Sequence, residues 1–291
     1  MTEARDMSPA PAMRASAFRG LRFSRDWITR PLFGTLLAAL VVCATFAGTQ
    51  YLALLVAAGA AFAAREWHRM VWPRSYFAET VVSAATIGLA LLALTLWPRG
   101  MLAWSILGFG ATIAFALAVA RGENPLWQAG GVLYVGLPAL ALVASRAIPA
   151  HGPWLIVGLF LIVWGTDTGA LVAGNLIGGP KLAPVLSPNK TWAGTLGGVA
   201  VAAIVEAIYV GALGGGALKA LFYGAVLALV AHAGDLFESW VKRRFSKKDS
   251  GSLIPGHGGA LDRIDSTLSA SLALAVLVLL FQFDPLFGAR P

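Results

Sequence analysis

Nine apolar stretches dominate this sequence, and most approach the roughly 20 residues that a helix needs to cross a bilayer. They run over about 31–48, 50–65, 80–97, 101–120, 130–148, 153–177, 194–213, 217–238 and 266–283. Little polar sequence is left between them from which a separate soluble domain could be built. Hydrophobic residues make up 58% of the 291-residue chain and charged ones 12%, about half the soluble norm of roughly 25%. Mean hydropathy is +0.74. A water-soluble fold could not hide this much apolar surface. The sequence predicts an all-α, polytopic membrane helix bundle forming one membrane domain.

The first two stretches are separated only by Gly48, Thr49 and Gln50, which leaves open a tight hairpin or one broken helix. The distribution of Lys and Arg counts them as two. With a cytoplasmic N-terminus and nine transmembrane helices, 18 of the 22 bases fall on the inner side. These are six in the tail, Arg65, Arg69, Arg74, Arg121, Lys181, Lys190 and six between 239 and 265. Only Arg99, Arg146, Lys219 and Arg290 fall outside. Merging the first two stretches would flip the later loops and spoil this asymmetry. The same bias, with anionic lipid, accounts for the net charge of +8, so no nucleic acid partner is expected. The expected organisation is a basic cytoplasmic tail over 1–30, N-terminal transmembrane helices over 31–150, and a C-terminal region over 151–291 carrying the polar loops. The one cysteine, Cys43, excludes an internal disulfide and is expected to face lipid. The roughly thirty mostly polar residues ahead of the first apolar run are too long for a signal-peptide n-region. No internal repeat stands out.

Chemistry is expected where charge is dense. Between Gly234 and Ser266 lie 5 of the 14 acids and 6 of the 22 bases, within 33 residues. In GDLFESWVKRRFSKK, Asp235, Ser239 and Lys242 fall at i, i+4 and i+7, on one helix face. A carboxylate, a hydroxyl and an ammonium so arranged can hold a metal ion and a phosphate together. Snorkelling to lipid headgroups would account for the bases alone, but not for Asp235 beside an apolar run. In DSGSLIPGHGGALDRIDS, Pro255, Gly256, Gly258 and Gly259 preclude a regular helix and free backbone N–H groups for a ligand. Asp262 and Asp265 open the last helix. Helix capping explains one acid there more readily than two acids with Arg263 and His257. Hard oxygen ligands suit Mg²⁺, while one Cys and four scattered His argue against zinc. In SPNKTWAG, Ser187 is expected to cap a helix with Pro188 in its first position. Lys190 and Thr191 would then sit in the first turn as an anion site. Asp167 in GTDTGA and Glu206 also lie within spanning stretches. Together these groups suit phosphoryl or nucleotidyl transfer at the inner face of a membrane.

The long signature SWVKRRFSKKDSGSLIPGHGGALDRIDS at 239–266, with GDLFES before it, SPNKTWAG at 187–194 and DTGA at 167–170, closely resembles the phosphatidate cytidylyltransferase family, also called CDP-diacylglycerol synthases. The resemblance covers roughly the last 130 residues. It implies conversion of CTP and phosphatidate to CDP-diacylglycerol and pyrophosphate. It implies metal binding by Asp235 and Asp262, with Mg²⁺ and room for a second cation. It gives nucleotide and lipid phosphates to Ser187, Lys190, Thr191, Lys242, Arg243, Lys248, Asp249, His257, Arg263 and Asp265; Ser239 and Asp167 are added as substrate-binding candidates from their placement. Lys242 and Asp265 join the metal pair as catalytic candidates. A homodimer in a bacterial inner membrane, with its active site facing the cytoplasm, is further implied. Two departures from the family pattern are Ala193, where a Glu is usual, and Leu171, where an aromatic is frequent. The rival expectations are a CTP-dependent lipid kinase and a transporter using Asp167 and Glu206.

Overall fold

The computed structural model describes residues 26–98, 101–251 and 259–281. Over these, the chain forms helices α1 (Asp26–Ala47), α2 (Thr49–Val71), α3 (Phe77–Leu96), α4 (Leu102–Ala120), α5 (Pro125–Arg146) and α6 (Gly152–Leu176). A short antiparallel hairpin, β1 (Lys181–Ala183) and β2 (Ser187–Thr191), interrupts them. Helices α7 (Trp192–Ala212), α8 (Ala217–Arg244) and α9 (Leu261–Ala275) follow, and α9 runs into a π-helical turn over Val276–Leu280. The fold is an all-α membrane protein: α3 to α8 are six helices long and apolar enough to cross a bilayer. The described apolar part of α1, Gly34–Ala47, is shorter. The described part of α1 already includes residues 26–30, which the sequence reading assigned to the tail.

The question left open at Gly48 is answered by its backbone. Gly48 has φ of 147°, a conformation that strains any side chain, and the chain breaks there into two helices that pack on each other. Elsewhere, local chemistry sets the boundaries. Asn124 caps α5 by accepting from the N–H groups of Leu126 at 3.1 Å and Trp127 at 3.4 Å, with Pro125 in the first turn.

Two apolar clusters fill the interior. One gathers Trp67, Ile87, Leu91, Leu107, Val132 and Leu140 with Val241, Leu261 and Leu268. The other gathers Leu52, Leu155, Ile156, Leu159, Ile162, Leu227 and Leu274. Helix α5 contributes to both, so the two halves of the chain share a core. A buried polar chain ties α2, α3 and α5: the His68 ring lies 2.7 Å from Ser83 Oγ and 2.5 Å from Gln128 Oε1, and Gln128 Nε2 donates to Glu123 at 2.6 Å. Nearby, Arg121 pairs with the buried Glu79.

Helices α6 and α7 approach closely through small residues, as the glycines of TWAGTLGG predict. A Cβ on Gly197 would lie 2.2 Å from Ala173 Cβ, and one on Gly198 would lie 2.6 Å from Thr166 O. Since α6 carries Asp167 and α7 begins beside Lys190, this contact holds two candidate site residues in register. Gly197→Leu is expected to overpack the seam at a cost of about 1–3 kcal/mol, read as a fall in the thermal unfolding midpoint in detergent. Gly108→Ala on α4, where a Cβ would meet nothing within 4 Å, should leave that midpoint unchanged or raise it. Equal midpoints for the two variants would contradict the packing account.

Candidate active site

At Gly234 α8 and α9 come close: a Cβ there would lie 2.1 Å from Ser269 Oγ and 3.1 Å from the Asp265 carbonyl oxygen. The next residue, Asp235, is thereby carried to the α9 seam, where its charge acts on Asp265. Asp235 forms an ion pair with Lys190, delivered by β2. Asp167 on α6 lies within electrostatic reach of Asp235, Lys190 and Arg263.

One to two turns further along α8, Lys242 Nζ sits between two carboxylates, 2.6 Å from Glu238 Oε2 and 2.8 Å from Asp262 Oδ1. Asp262 also accepts from the N–H of Gly259 at 2.9 Å and of Ser250 at 3.1 Å. Burial opposes its ionisation, but the Lys242 ammonium and the Gly259 amide outweigh it and hold the carboxyl below its ordinary range. Burial, followed by the charge of Asp235, pushes the Asp265 carboxyl up to about 7. One oxygen of Asp265 accepts from Ser266 N at 2.7 Å.

The site thus groups five carboxylates, Asp167, Asp235, Glu238, Asp262 and Asp265, around three bases, Lys190, Lys242 and Arg263. Glu238 is fully buried, and its Oε1 has no hydrogen-bond partner. Carboxylate oxygens gathered in this way are the donors that a divalent cation takes. Among the described residues no three His, Cys, Asp or Glu side chains converge to hold a metal alone.

One expectation is overturned. Ser187 does not cap a helix, Pro188 does not open one, and Lys190 and Thr191 are not in a first turn. Ser187–Thr191 is a strand, paired Lys181 to Thr191 and Ala183 to Ser187. Thr191 is the cap: its backbone is extended, and its Oγ1 accepts from Gly194 N at 3.0 Å. Strand pairing with Lys181–Ala183 moves the helix start from Ser187 to Thr191. A proline is tolerated in a two-stranded edge. Lys190 therefore stands outside the helix, free of its unfavourable positive end, and reaches Asp235 instead.

Other candidates are less central. Ser239 is buried, and Lys248 and Asp249 are exposed. Arg243 is exposed and donates to Leu186 O and Lys247 O, both at 3.3 Å, tying the hairpin turn to the end of α8. His257 lies outside the described residues. Glu206 is buried far from this cluster in the chain's packing, on α7 against Gly158 of α6 and Gly224 of α8. Two residues that sequence reasoning passed over are Glu238 and Glu66. Glu238 follows Asp235 by three positions on the same helix face, a signal present in GDLFES. Glu66 is a carboxylate at the end of an apolar run, the same kind of signal that singled out Asp167.

Beside the charged cluster, a cavity of about 550 Å³ opens among α1, α2, α5, α6 and α9. Its wall is apolar, with Val56, Gly59, Pro138, Phe160 and Leu268, and Arg263 joins it to the polar site.

The sequence is similar to several proteins of one name. Phosphatidate cytidylyltransferase of Brucella suis biovar 1 (strain 1330) is 46% identical over 165 residues, 56% of this chain and 58% of the relative. The enzyme of that name from Helicobacter pylori (strain ATCC 700392 / 26695) is 42% identical over 147 residues, 50% of this chain and 54% of its own. That from Rickettsia conorii (strain ATCC VR-613 / Malish 7) is 38% identical over 156 residues, 50% of this chain and 67% of its own. The matches span between about half and two thirds of these relatives' length. Residues 28–281, most of the sequence, match the profile of one family. The chain belongs to the cytidylyltransferase family.

Proposed function

We propose that this protein transfers the cytidylyl group of CTP to phosphatidate, giving CDP-diacylglycerol and pyrophosphate for phospholipid synthesis. The observation that carries the reading is the seam of α8 and α9. There Asp235 and Asp262, each paired with a lysine, stand beside an apolar cavity that Arg263 helps to line. A water-soluble triphosphate and a lipid phosphate need such a junction. The names of the relatives and the family match point the same way.

The Lys and Arg asymmetry supports nine crossings with a cytoplasmic N-terminus, α1, α2 and α9 adding to the six apolar helices. The same asymmetry supports a cytoplasmic hairpin, and the bacterial relatives support an inner membrane. The resemblance supports 151–291 as the catalytic region, following the N-terminal transmembrane helices of 31–150, and a homodimer.

In the proposed reaction, a phosphate oxygen of phosphatidate attacks the α-phosphorus of CTP in line. The bond from that phosphorus to the bridging oxygen breaks, and its electron pair leaves with pyrophosphate. Phosphatidate is already anionic near neutral pH, so the site needs alignment and charge neutralisation more than a strong base. Asp235 and Asp262 would hold Mg²⁺, which when bound neutralises charge on the triphosphate. Lys190 and Lys242 then have phosphate oxygens to serve in place of the carboxylates they now pair. Arg263, at the mouth of the cavity, suits the lipid phosphate, with Ser187, Lys248 and His257 as further contacts.

Purified protein given CTP, phosphatidate and Mg²⁺ should release pyrophosphate and CDP-lipid in equal amounts. CDP with a newly phosphorylated lipid would instead identify a CTP-dependent lipid kinase. Asp235→Asn and Asp262→Asn should each lower kcat about 100-fold or more while the thermal midpoint stays near that of the parent. Near-normal turnover in either variant contradicts the metal pair. Gly59→Phe, which projects into open cavity space, should cut turnover of dioleoyl phosphatidate about 10-fold relative to the dioctanoyl lipid, because fewer CH₂ groups can be buried. An unchanged chain-length preference would separate the cavity from the lipid substrate.

A further inference from the structure

Glu66 stands near the cytoplasmic end of α2, in the half of the chain that carries none of the signature motifs. Its carboxylate is nonetheless buried among residues of the signature. Oε2 accepts from Ser250 Oγ at 3.0 Å and from Leu261 N at 2.8 Å, contacts that span 184 and 195 residues of sequence. Leu261 is the first residue of α9, and Ala260 before it offers no side-chain cap. Glu66 therefore supplies from another helix the acceptor that the start of α9 lacks.

Two glycines make room for it. A Cβ on Gly251 would lie 2.3 Å from Glu66 Oε1, and one on Gly259 would lie 2.5 Å from Oε2. Both ends of the 251–259 connection thus close on one carboxylate. Ser250 joins this carboxylate to the proposed metal ligand: its hydroxyl donates to Glu66 and its N–H to Asp262 at 3.1 Å. Gly259 is likewise shared, its N–H donating to Asp262 at 2.9 Å. The end of α2 is itself fixed, since Trp67 is buried and its Nε1 donates to Trp127 O at 2.9 Å.

We propose that Glu66 is the positioning residue for Asp262: it clamps Ser250, Gly251, Gly259 and Leu261 and so sets where the Asp262 carboxylate stands relative to α8. The N-terminal helices then take part in assembling the site and do more than surround it. For its activity arm alone, the proposal rests on the nucleotidyl-transfer reading.

The test compares full-length parent, Glu66→Ala and Glu66→Gln in detergent. Amide hydrogen exchange over 259–265 should accelerate about 10-fold or more in Glu66→Ala, with helices α6 and α7 unaffected, since a buried charged acceptor is lost. Mn²⁺ titrated by electron paramagnetic resonance should bind about 10-fold more weakly, a loss of the size expected when a partner of a metal ligand is removed. Glu66→Gln keeps an acceptor of the same shape and should recover part of both losses. If the parent turns over phosphatidate, kcat should fall in Glu66→Ala while KM for phosphatidate holds. Unchanged exchange and Mn²⁺ affinity in a folded Glu66→Ala overturns the proposal. So does uniform acceleration through all helices in both variants, which marks general support. If exchange and Mn²⁺ binding respond as stated but the parent makes no CDP-lipid, the positioning role stands and the nucleotidyl-transfer reading falls.

Discussion

Carboxylates held out of water repel one another unless cations sit among them. At the junction of α8 and α9 this protein gathers five, with three bases to balance them. Much of the rest of the architecture makes sense as the means of keeping that cluster together. Gly234 lets α8 meet α9, the β hairpin brings Lys190 to Asp235, and Lys242 bridges Glu238 to Asp262. The proposed divalent cation rests on this gathering of carboxylates, in which Glu238 Oε1 has no hydrogen-bond partner.

The membrane imposes the second constraint. Interior packing between helices cannot draw on a hydrophobic contrast with lipid, so closeness comes from small residues and buried polar links. The glycine seam of α6 and α7 and the chain Ser83, His68, Gln128, Glu123 show the two devices side by side. Both lie in helices that also carry or adjoin site residues. The helices thereby position the polar groups, while the apolar cavity that Arg263 helps to line leaves the site a lipid-like flank.

The helices were legible in the sequence because apolar runs of spanning length have few alternatives, and the split at Gly48 followed from charge alone. Asp235, Asp262, Lys190 and Lys242 were legible because charge beside apolar sequence is conspicuous, and the structure brings each into one of two adjoining ion-paired groups. The hairpin was not legible. Three to five residues of strand carry no periodic signal, and Ser187 with Pro188 reads locally as a good helix start. Only pairing with Lys181–Ala183 shifts the cap to Thr191. Glu66 stayed hidden for a different reason: its partners lie more than 180 residues away, and no spacing within a motif reports a contact between helices.

The central claim is that Asp235 and Asp262 hold one divalent cation between them. Crystals of the protein soaked with Mn²⁺ and a non-hydrolysable CTP analogue test it most directly by anomalous scattering. The account predicts a manganese peak within coordinating distance, about 2.0–2.2 Å, of a carboxylate oxygen from each aspartate, with Lys190 turned from Asp235 towards a phosphate. A peak bound to only one of the two, or manganese held elsewhere with both lysine pairs intact, would contradict it.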